Sequence, residues 1–427
     1  MSSTRSAASL TRRQVLARAA SAGGALVAAS IVPSSVLGLG AATAPSERIV
    51  LGAIGIGRRG ERVLADFLAQ PEVQFVAVSD VRAERREAVK NIADAHHGNT
   101  DCATYRDFYE LLARRDIDAC LIATGDRWHT MASIITAKAG KDIYCEKPCS
   151  MTIAESRALA DTVRRSGRVY QAGTQRRNVA NFVFAAGLAR SGKLGRLHTV
   201  HANTLDPPTT QDWLPEEPEP PAHVVDWDRW LGPCPWRPYN RRYIQGGWRG
   251  FFDFHGGGIL EWGSHTVDLC QWANDADATA PVEYDPQPGG VIARYANGVK
   301  LVMRQEGWLG LGTCSVRFEG DEGWVEAGDS GRVEFSPASL RSARPIVAEQ
   351  GTSPGAHVRQ FLDCVRSRAR PAADASVAAQ SHIACHAAYI AWQLGRKLRF
   401  DPAAEVFEGD ADANRMRSRA LREPWHF

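Results

Sequence analysis

From residue 49 to about residue 175, short β-branched apolar blocks alternate with stretches in which apolar residues recur every three or four positions. Ile49, Val50, Leu51, Ala53 and Ile54 form the first block, a run that suits a strand buried on both faces. Val63, Leu64, Phe67 and Leu68 follow at helical spacing, so residues 59–69 read as a helix and residues 73–78 as a second strand ending at Ser79-Asp80. The pattern then predicts an arginine-rich helix, a helix over 105–112, a buried strand over 117–124 and a helix over 131–139. A short strand over 142–145, a helix over 152–165 and a strand over 169–172 complete the unit. Such alternation implies a parallel, doubly wound α/β sheet with ligands at the strands' carboxyl ends.

From about residue 177 the period changes. Strand-like runs over 198–204, 291–294, 300–306, 314–318 and 323–326 alternate with glycine turns, which predicts a large mixed or antiparallel sheet. A helix is expected over 260–273, and amphipathic helices over 355–368 and 376–396. The Pro- and Trp-rich segment 206–248 is too long and irregular for a simple connection. Its tryptophans 213, 227, 230, 236 and 248 offer faces that stack on pyranose rings; packing the segment onto the body is an equal alternative for most of them. There is no internal repeat.

The length of 427 residues accommodates two domains with substantial cores. Formal charge is +3, but residues 1–44 carry four arginines (Arg5, Arg12, Arg13, Arg18) and no acids, leaving +3 − 4 = −1 for the remainder. That balance gives no electrostatic case for nucleic acid or acidic membranes. Thr11-Arg12-Arg13-Gln14-Val15-Leu16, followed by an Ala/Gly/Ser-rich stretch and small residues at 41–44, has the form of a cleaved twin-arginine export signal. A membrane anchor is the alternative, but the segment is weakly hydrophobic, and no other run approaches membrane-spanning length. A periplasmic or otherwise exported protein, without a span in its mature form, is therefore expected. The nine cysteines are odd in number and share no repeated spacing, so they do not read as a disulfide framework.

Candidate chemistry starts at Gly55-Ile56-Gly57-Arg58-Arg59-Gly60, a full G-x-G-x-x-G between a strand and a helix. Gly55 permits the tight turn, Gly57 lets a pyrophosphate approach the backbone, and Gly60 lets helix and strand pack closely. The helix N-terminus, with Arg58 and Arg59, faces the phosphates. Asp80, about twenty residues on, is placed for an adenosine ribose and favours NAD; Arg82, Arg85 and Arg86 leave NADP open. Two further polar clusters cap buried strands: Thr124, Asp126 and His129, and then Glu146 and Lys147 before Pro148.

Together with Gly256-Gly257-Gly258-Ile259-Leu260-Glu261-x-Gly263-x-His265-x-x-Asp268, these motifs resemble the Gfo/Idh/MocA oxidoreductases over essentially the whole chain after the signal. The resemblance implies a Rossmann domain over 45–175 and a second α/β domain over 176–354 with an open, mostly antiparallel sheet. It also implies a C-terminal helical segment, 355–427, packing back on the body, and a nicotinamide cofactor between the domains. Lys147 would meet both substrate and nicotinamide, and Gln175, Arg176 and Arg177 resemble the substrate edge. The open sheet commonly dimerises in the family, so a homo-oligomer is expected.

Oxidising a carbinol needs a base for the hydroxyl proton and positive charge for the incipient alkoxide. Lys147 supplies the charge. His265 suits the proton transfer, with Glu261 one helical turn earlier expected to orient the imidazole and raise its pKa. The family usually has aspartate at that position, so glutamate puts the details of its role in doubt. Tyr243, Arg249 and His255 are weaker candidates for sugar hydroxyls. A metal held by His255, Glu261 and His265 has no support beyond residue type, and His382, Cys385 and His386 read as a helix seam rather than ligands.

An exported dehydrogenase must keep its nicotinamide and restore it within each cycle. The expected function is thus hydride transfer at a sugar, polyol or glycoside carbinol with a tightly held cofactor. An NAD-dependent glycoside hydrolase or lyase using transient oxidation is the alternative, and a non-catalytic sugar-binding protein a second.

Overall fold

Strands β1 (Ile49–Ile54), β2 (Val73–Ser79), β3 (Ala103–Tyr105), β4 (Ala119–Ile122), β5 (Asp142–Cys145) and β6 (Tyr170–Ala172) pair in the order β3-β2-β1-β4-β5-β6, every pair parallel. The computed structural model describes residues 44, 47–204, 210–305, 307–343 and 355–427. The twin-arginine segment and the first residues of the 206–248 insertion lie outside them. The apolar blocks form strands because both faces of this sheet are covered: Leu51, Ala53 and Leu121 face one buried cluster, and Ile54, Cys120 and Ile122 another.

Two helix boundaries differ from the sequence pattern. Tyr105 ends β3, and the helix expected over 105–112 covers only Phe108–Leu112, because Asp107 caps it by accepting from the Tyr109 N–H. The helix expected from residue 131 already begins at Asp126 (Asp126–Lys138), which buries Asp126 and His129 in its first turns. Polarity at 126–130 masked this start; those side chains are buried because they bond to other segments.

The second sheet has the order β13-β12-β11-β7-β10-β9-β8-β14-β15. Its strands are β7 (Leu197–Thr204), β8 (Glu283–Gln287), β9 (Gly290–Arg294), β10 (Lys300–Gln305), β11 (Val316–Gly320), β12 (Gly323–Ala327), β13 (Val333–Ser336), β14 (Leu398–Asp401) and β15 (Val406–Phe407). Only β7 and β10 pair in parallel. The helices Ala180–Arg190, Gly258–Ala273 and Ala375–Leu394 share one buried cluster with this sheet. Ala180–Arg190 escaped the sequence pattern because it is buried nearly all round and shows no apolar stripe. The short strands β8, β13, β14 and β15 carry too few apolar residues to stand out.

The insertion packs as an aromatic cluster of Trp227, Trp230, Tyr239, Tyr243 and Phe254, with Trp227 and Trp230 stacked at 4.7 Å. Trp213 and Trp236 remain exposed, and Trp248 reaches the cleft described below. Helix Gly355–Ser367 packs onto the first sheet through Phe361, whose ring lies 6.0 Å from that of Phe67 and 5.9 Å from that of Tyr144. On Ala375–Leu394, His382 and His386 form a buried seam with the segment after Lys147: His382 Nε2 accepts from the Cys149 N–H at 3.0 Å, and His386 Nε2 meets Ser150 Oγ at 3.3 Å. All nine cysteines are free thiols and buried.

Candidate active site

A cleft of about 1040 Å³ runs along the carboxyl ends of β1, β2 and β4. One wall is the glycine turn. Gly55 adopts φ +67°, and a Cβ there would stand 2.3 Å from Thr124 Cγ2; a Cβ on Gly60 would stand 2.8 Å from that of Ala123. Both positions therefore require glycine for packing. Gly57 is different: a Cβ would meet nothing within 4 Å, so its bareness leaves open space in the cleft wall. The helix Arg58–Leu68 starts there with no side-chain cap, so its first N–H groups are available to an anion, with Arg58 exposed beside them.

Asp80 is half-buried in the same wall and accepts from the Arg82 N–H at 2.9 Å. Burial pushes its carboxyl pKa up, against the opposing pull of Arg82, Arg85 and Arg86. Those arginines all have protein partners. Arg82 bonds Glu84 and the Ile244 carbonyl, Arg85 pairs with Glu61 at 2.9 Å, and Arg86 donates to the Asp80 and His223 carbonyls. A site built from bare backbone, a helix start with no side-chain cap among the described residues and a half-buried carboxylate in the cleft wall fits a dinucleotide, and fits NAD better than NADP. Arg127 adds to the fit: it lines the cleft, stacks 3.4 Å above the Trp230 ring, and its buried Nη1 has no partner among the described residues.

Beyond the glycine turn, Arg59 Nε bonds Glu146 Oε1 at 2.9 Å, joining the cleft wall to the end of β5. Lys147 comes next, and the turn that carries it is pinned on three sides. His129 Nδ1 donates to the Pro148 carbonyl at 2.6 Å, Thr130 Oγ1 to the Cys149 carbonyl at 2.7 Å, and His382 holds the Cys149 N–H. Lys147 Nζ donates to both the Glu261 carbonyl at 2.9 Å and Glu261 Oε1 at 3.0 Å, and lies 5.6 Å from the Trp262 ring centre.

Glu261 differs from the sequence expectation. Its carboxylate does not serve His265; Oε1 is on Lys147 and Oε2 is 3.1 Å from His255 Nε2. Burial opposes its charge, but Lys147, His255 and Arg249 together outweigh that and hold its carboxyl well below the ordinary range. The expected rise in the His265 pKa is likewise reversed. Burial, reinforced by Arg176, Lys147 and Arg59, holds the imidazole well below its ordinary range, so it is neutral. Its buried Nδ1 has no partner among the described residues.

Other sequence candidates divide sharply. Asp126 and His129 do not line the cleft: Asp126 Oδ2 accepts from the Gly256 N–H at 3.3 Å, and His129 supports the Lys147 turn. Arg177 is not at a substrate edge. It is buried between Asp268 and Asp277, each at 2.7 Å, and serves the core. Arg176 bonds Asp329 at 2.6 Å but keeps one buried nitrogen, Nη1, without a partner among the described residues. Gln175, with its amide turned to satisfy both ends, donates to the Gly173 carbonyl and accepts from Arg59 Nη2 at 3.2 Å. Tyr243 is fully buried, and its hydroxyl accepts from the Leu214 N–H at 2.9 Å, so it cannot contact substrate. Arg249 is exposed at the cleft over the Trp248 ring. His255 is buried with both ring nitrogens engaged, and it groups with Asp126 and Glu261, not with His265.

Sequence reasoning missed Arg127 and the partnership of Asp126 with His255; of the five tryptophans it offered in the 206–248 segment, Trp230 and Trp248 line the cleft. Arg127 stands inside a stretch already singled out at a strand end, which was the available signal; the partnership joins segments far apart in sequence.

Comparison with known proteins matches both halves of the chain to one family. Residues 49–174 match the description "Oxidoreductase family, NAD-binding Rossmann fold", and residues 210–427 match "Oxidoreductase family, C-terminal alpha/beta domain" of the Gfo/Idh/MocA group. The chain is 32% identical over 162 residues to the uncharacterized oxidoreductase YrbE of Bacillus subtilis, covering 38% of this chain and 46% of that protein. It is 27% identical over 165 residues to a myo-inositol 2-dehydrogenase of Thermotoga maritima, covering 38% and 48%. The matched stretch is thus about half the length of these curated relatives. Among solved structures, the WlbA dehydrogenase of Bordetella pertussis, in complex with NADH and UDP-GlcNAcA, aligns with a TM-score of 0.61 over 83% of this chain and 99% of that one. At 17% identity that likeness speaks to the fold alone.

Proposed function

The chain belongs to the Gfo/Idh/MocA oxidoreductase family, and on that premise we propose that it is an NAD-dependent oxidoreductase acting on a CH–OH carbon of a sugar or polyol. The observation that carries this reading is the fixed ammonium of Lys147. Of its three N–H donors, two are taken by Glu261, leaving one for a substrate oxygen beside a neutral His265. Bound in the cleft, a nicotinamide supplies the hydride acceptor. Lys147 donates to the carbinol oxygen and stabilises the alkoxide as the C–H bond breaks. His265, uncharged before reaction, accepts the hydroxyl proton. Burial, reinforced by Arg176, Lys147 and Arg59, keeps it in that state, and the positive charge of those three favours the alkoxide as well. Gly55, Gly57, Arg58, Gly60 and Asp80 hold the dinucleotide, and Arg249 with Trp248 borders the substrate side.

The finer reading is an exported enzyme whose cofactor stays bound and is restored in each cycle, in the form of a homo-oligomer. The twin-arginine pattern supports export. Retention is supported by the insertion's hold on the outer side of the cleft: Arg82 bonds the Ile244 carbonyl, Arg106 meets Asp226 at 3.4 Å, and Arg229 pairs with Asp107. The test uses purified protein without added nucleotide, first identifying any copurified dinucleotide by mass spectrometry. Sugars, polyols and glycosides are then offered with and without NAD while absorbance of the reduced nicotinamide and product release are followed. Reduction of NAD by a carbinol supports the dehydrogenase; equal lactone and polyol from a sugar pair support internal recycling; a freed aglycone supports the glycosidase alternative. Silence with every carbinol and glycoside defeats the enzyme reading and leaves a sugar-binding protein.

A further inference from the structure

Glu261 is gripped from two sides, and only one grip belongs to the lysine. His255 Nε2 lies 3.1 Å from Oε2, while His255 Nδ1 accepts from the Gly250 N–H at 3.4 Å. An acceptor at Nδ1 fixes the ring proton on Nε2, so the imidazole donates to the carboxylate. Asp126 Oδ2 stands 3.9 Å from the same nitrogen and is itself tied to the Gly256 N–H. Both His255 and Asp126 are buried, so neither grip is diluted by solvent. The imidazole comes from the segment that feeds the helix Gly258–Ala273, not from the helix. It therefore reaches Glu261 from a different segment, and at a different carboxylate oxygen, than Lys147 does.

From this arrangement we propose that His255 is a positioning residue for Lys147, acting through Glu261, with Asp126 holding the entry of the helix against it. The proposal rests on the reading of Lys147 as the group that meets substrate. A glutamate side chain carries a rotatable bond more than an aspartate, and a single contact at Oε1 would leave its carboxylate free to swing. The second contact, at Oε2, removes that freedom and fixes the direction of the ammonium's remaining N–H. The charged or titratable groups around Glu261 include Lys147, His255 and Arg249, with Asp126 beyond the imidazole and the buried thiol of Cys314 within reach of its charge. Removing His255 takes away a donor to the charged carboxylate, so protonation of Glu261 moves to higher pH.

The test compares His255→Leu, His255→Gln and Lys147→Met in the full chain. His255→Leu is expected to lower kcat on the order of tenfold to a hundredfold, with NAD affinity by fluorescence titration unchanged and the acid limb of the kcat–pH profile moved upward. Reductive methylation of Lys147, followed by mass spectrometry without substrate, becomes several-fold faster. His255→Gln, whose amide N–H can reach Oε2, recovers most of the change in all three readouts. Parental kcat, pH limb and methylation rate in His255→Leu, alongside an inactive Lys147→Met, overturn the proposal while leaving the proposed function standing. An active Lys147→Met overturns the proposed function itself. Should His255→Leu fail to fold, His255→Asn, too short to reach Oε2, replaces it, and equal kcat in the Asn and Gln variants overturns the proposal.

Discussion

The nucleotide end and the reacting end of the candidate site are made of different material, and Lys147, Glu261 and His265 are not among the residues that line the cleft itself. At the nucleotide end the working surface is backbone: Gly55 at φ +67°, the bare Gly57 and the uncapped start of Arg58–Leu68, all within a few consecutive residues. At the reacting end it is side chains from segments far apart: Lys147 from the end of β5, Glu261 and His265 from Gly258–Ala273, Arg176 from the turn after β6. The backbone end needs only local geometry to be correct. The side-chain end is correct only when two sheets and the helix Ala375–Leu394 are assembled, since His382 of that helix holds the Lys147 turn. A site made of backbone resists changes elsewhere in the chain; a site made of side chains depends on its supports.

The largest effect expected along this divide is that of Lys147→Met. It should reduce kcat by about a thousandfold, in the range for losing a preorganised charge at a developing oxyanion, while nucleotide affinity stays within a few-fold of the parent. Steady-state kinetics with parallel nucleotide titration checks this; a matching loss of affinity would erase the division between the ends. The next contrast lies inside the glycine turn. Gly57→Ala should fold with parental stability, because its Cβ meets no neighbour, yet weaken nucleotide binding by roughly tenfold or more, about 1.4 kcal/mol per decade. Gly55→Ala, forced against Thr124 at positive φ, should instead lose about 1–3 kcal/mol of stability. Urea unfolding and nucleotide titration of the two variants separate the roles.

The smallest effect concerns the support for the reacting end. Burial holds the His382 imidazole at about 4, below its ordinary 6.5. The folded state therefore binds fewer protons than the unfolded state between those values. The contribution is complete above pH 6.5 and is lost as pH falls toward 4, at about 1 kcal/mol per pH unit. His382→Gln should lower the slope of stability against pH in that window by about one proton, measured by urea unfolding at several pH values. An unchanged slope would mean that His382 is not a titrating support.

The adjacent arginines 176 and 177 show where sequence reading stops. Nothing in their order distinguishes them, yet Arg177 is locked between Asp268 and Asp277 in the core, while Arg176 keeps one nitrogen without a partner among the described residues and bears on His265. Tyr243 and His255, offered as sugar contacts, turned out to be a core tyrosine and a partner of Glu261. Their side chains lie in an irregular segment with no period from which to infer a facing direction.

The doubly wound sheet, the change to a largely antiparallel sheet, the glycine cradle and the candidates Asp80, Lys147, Glu261 and His265 were legible in the chain alone. Each is written in neighbouring residues, through apolar period, turn chemistry or a short motif. Only the tertiary structure decided which groups face one another: that Glu261 serves Lys147 and His255, that His265 is neutral among cations, and that Asp126 and His129 turn away from the cleft. Those outcomes are set by burial and by pairings that no local pattern encodes, from Glu261 with His255 six residues away to Asp126 with Gly256 130 residues away, and neither quantity exists until the chain has folded.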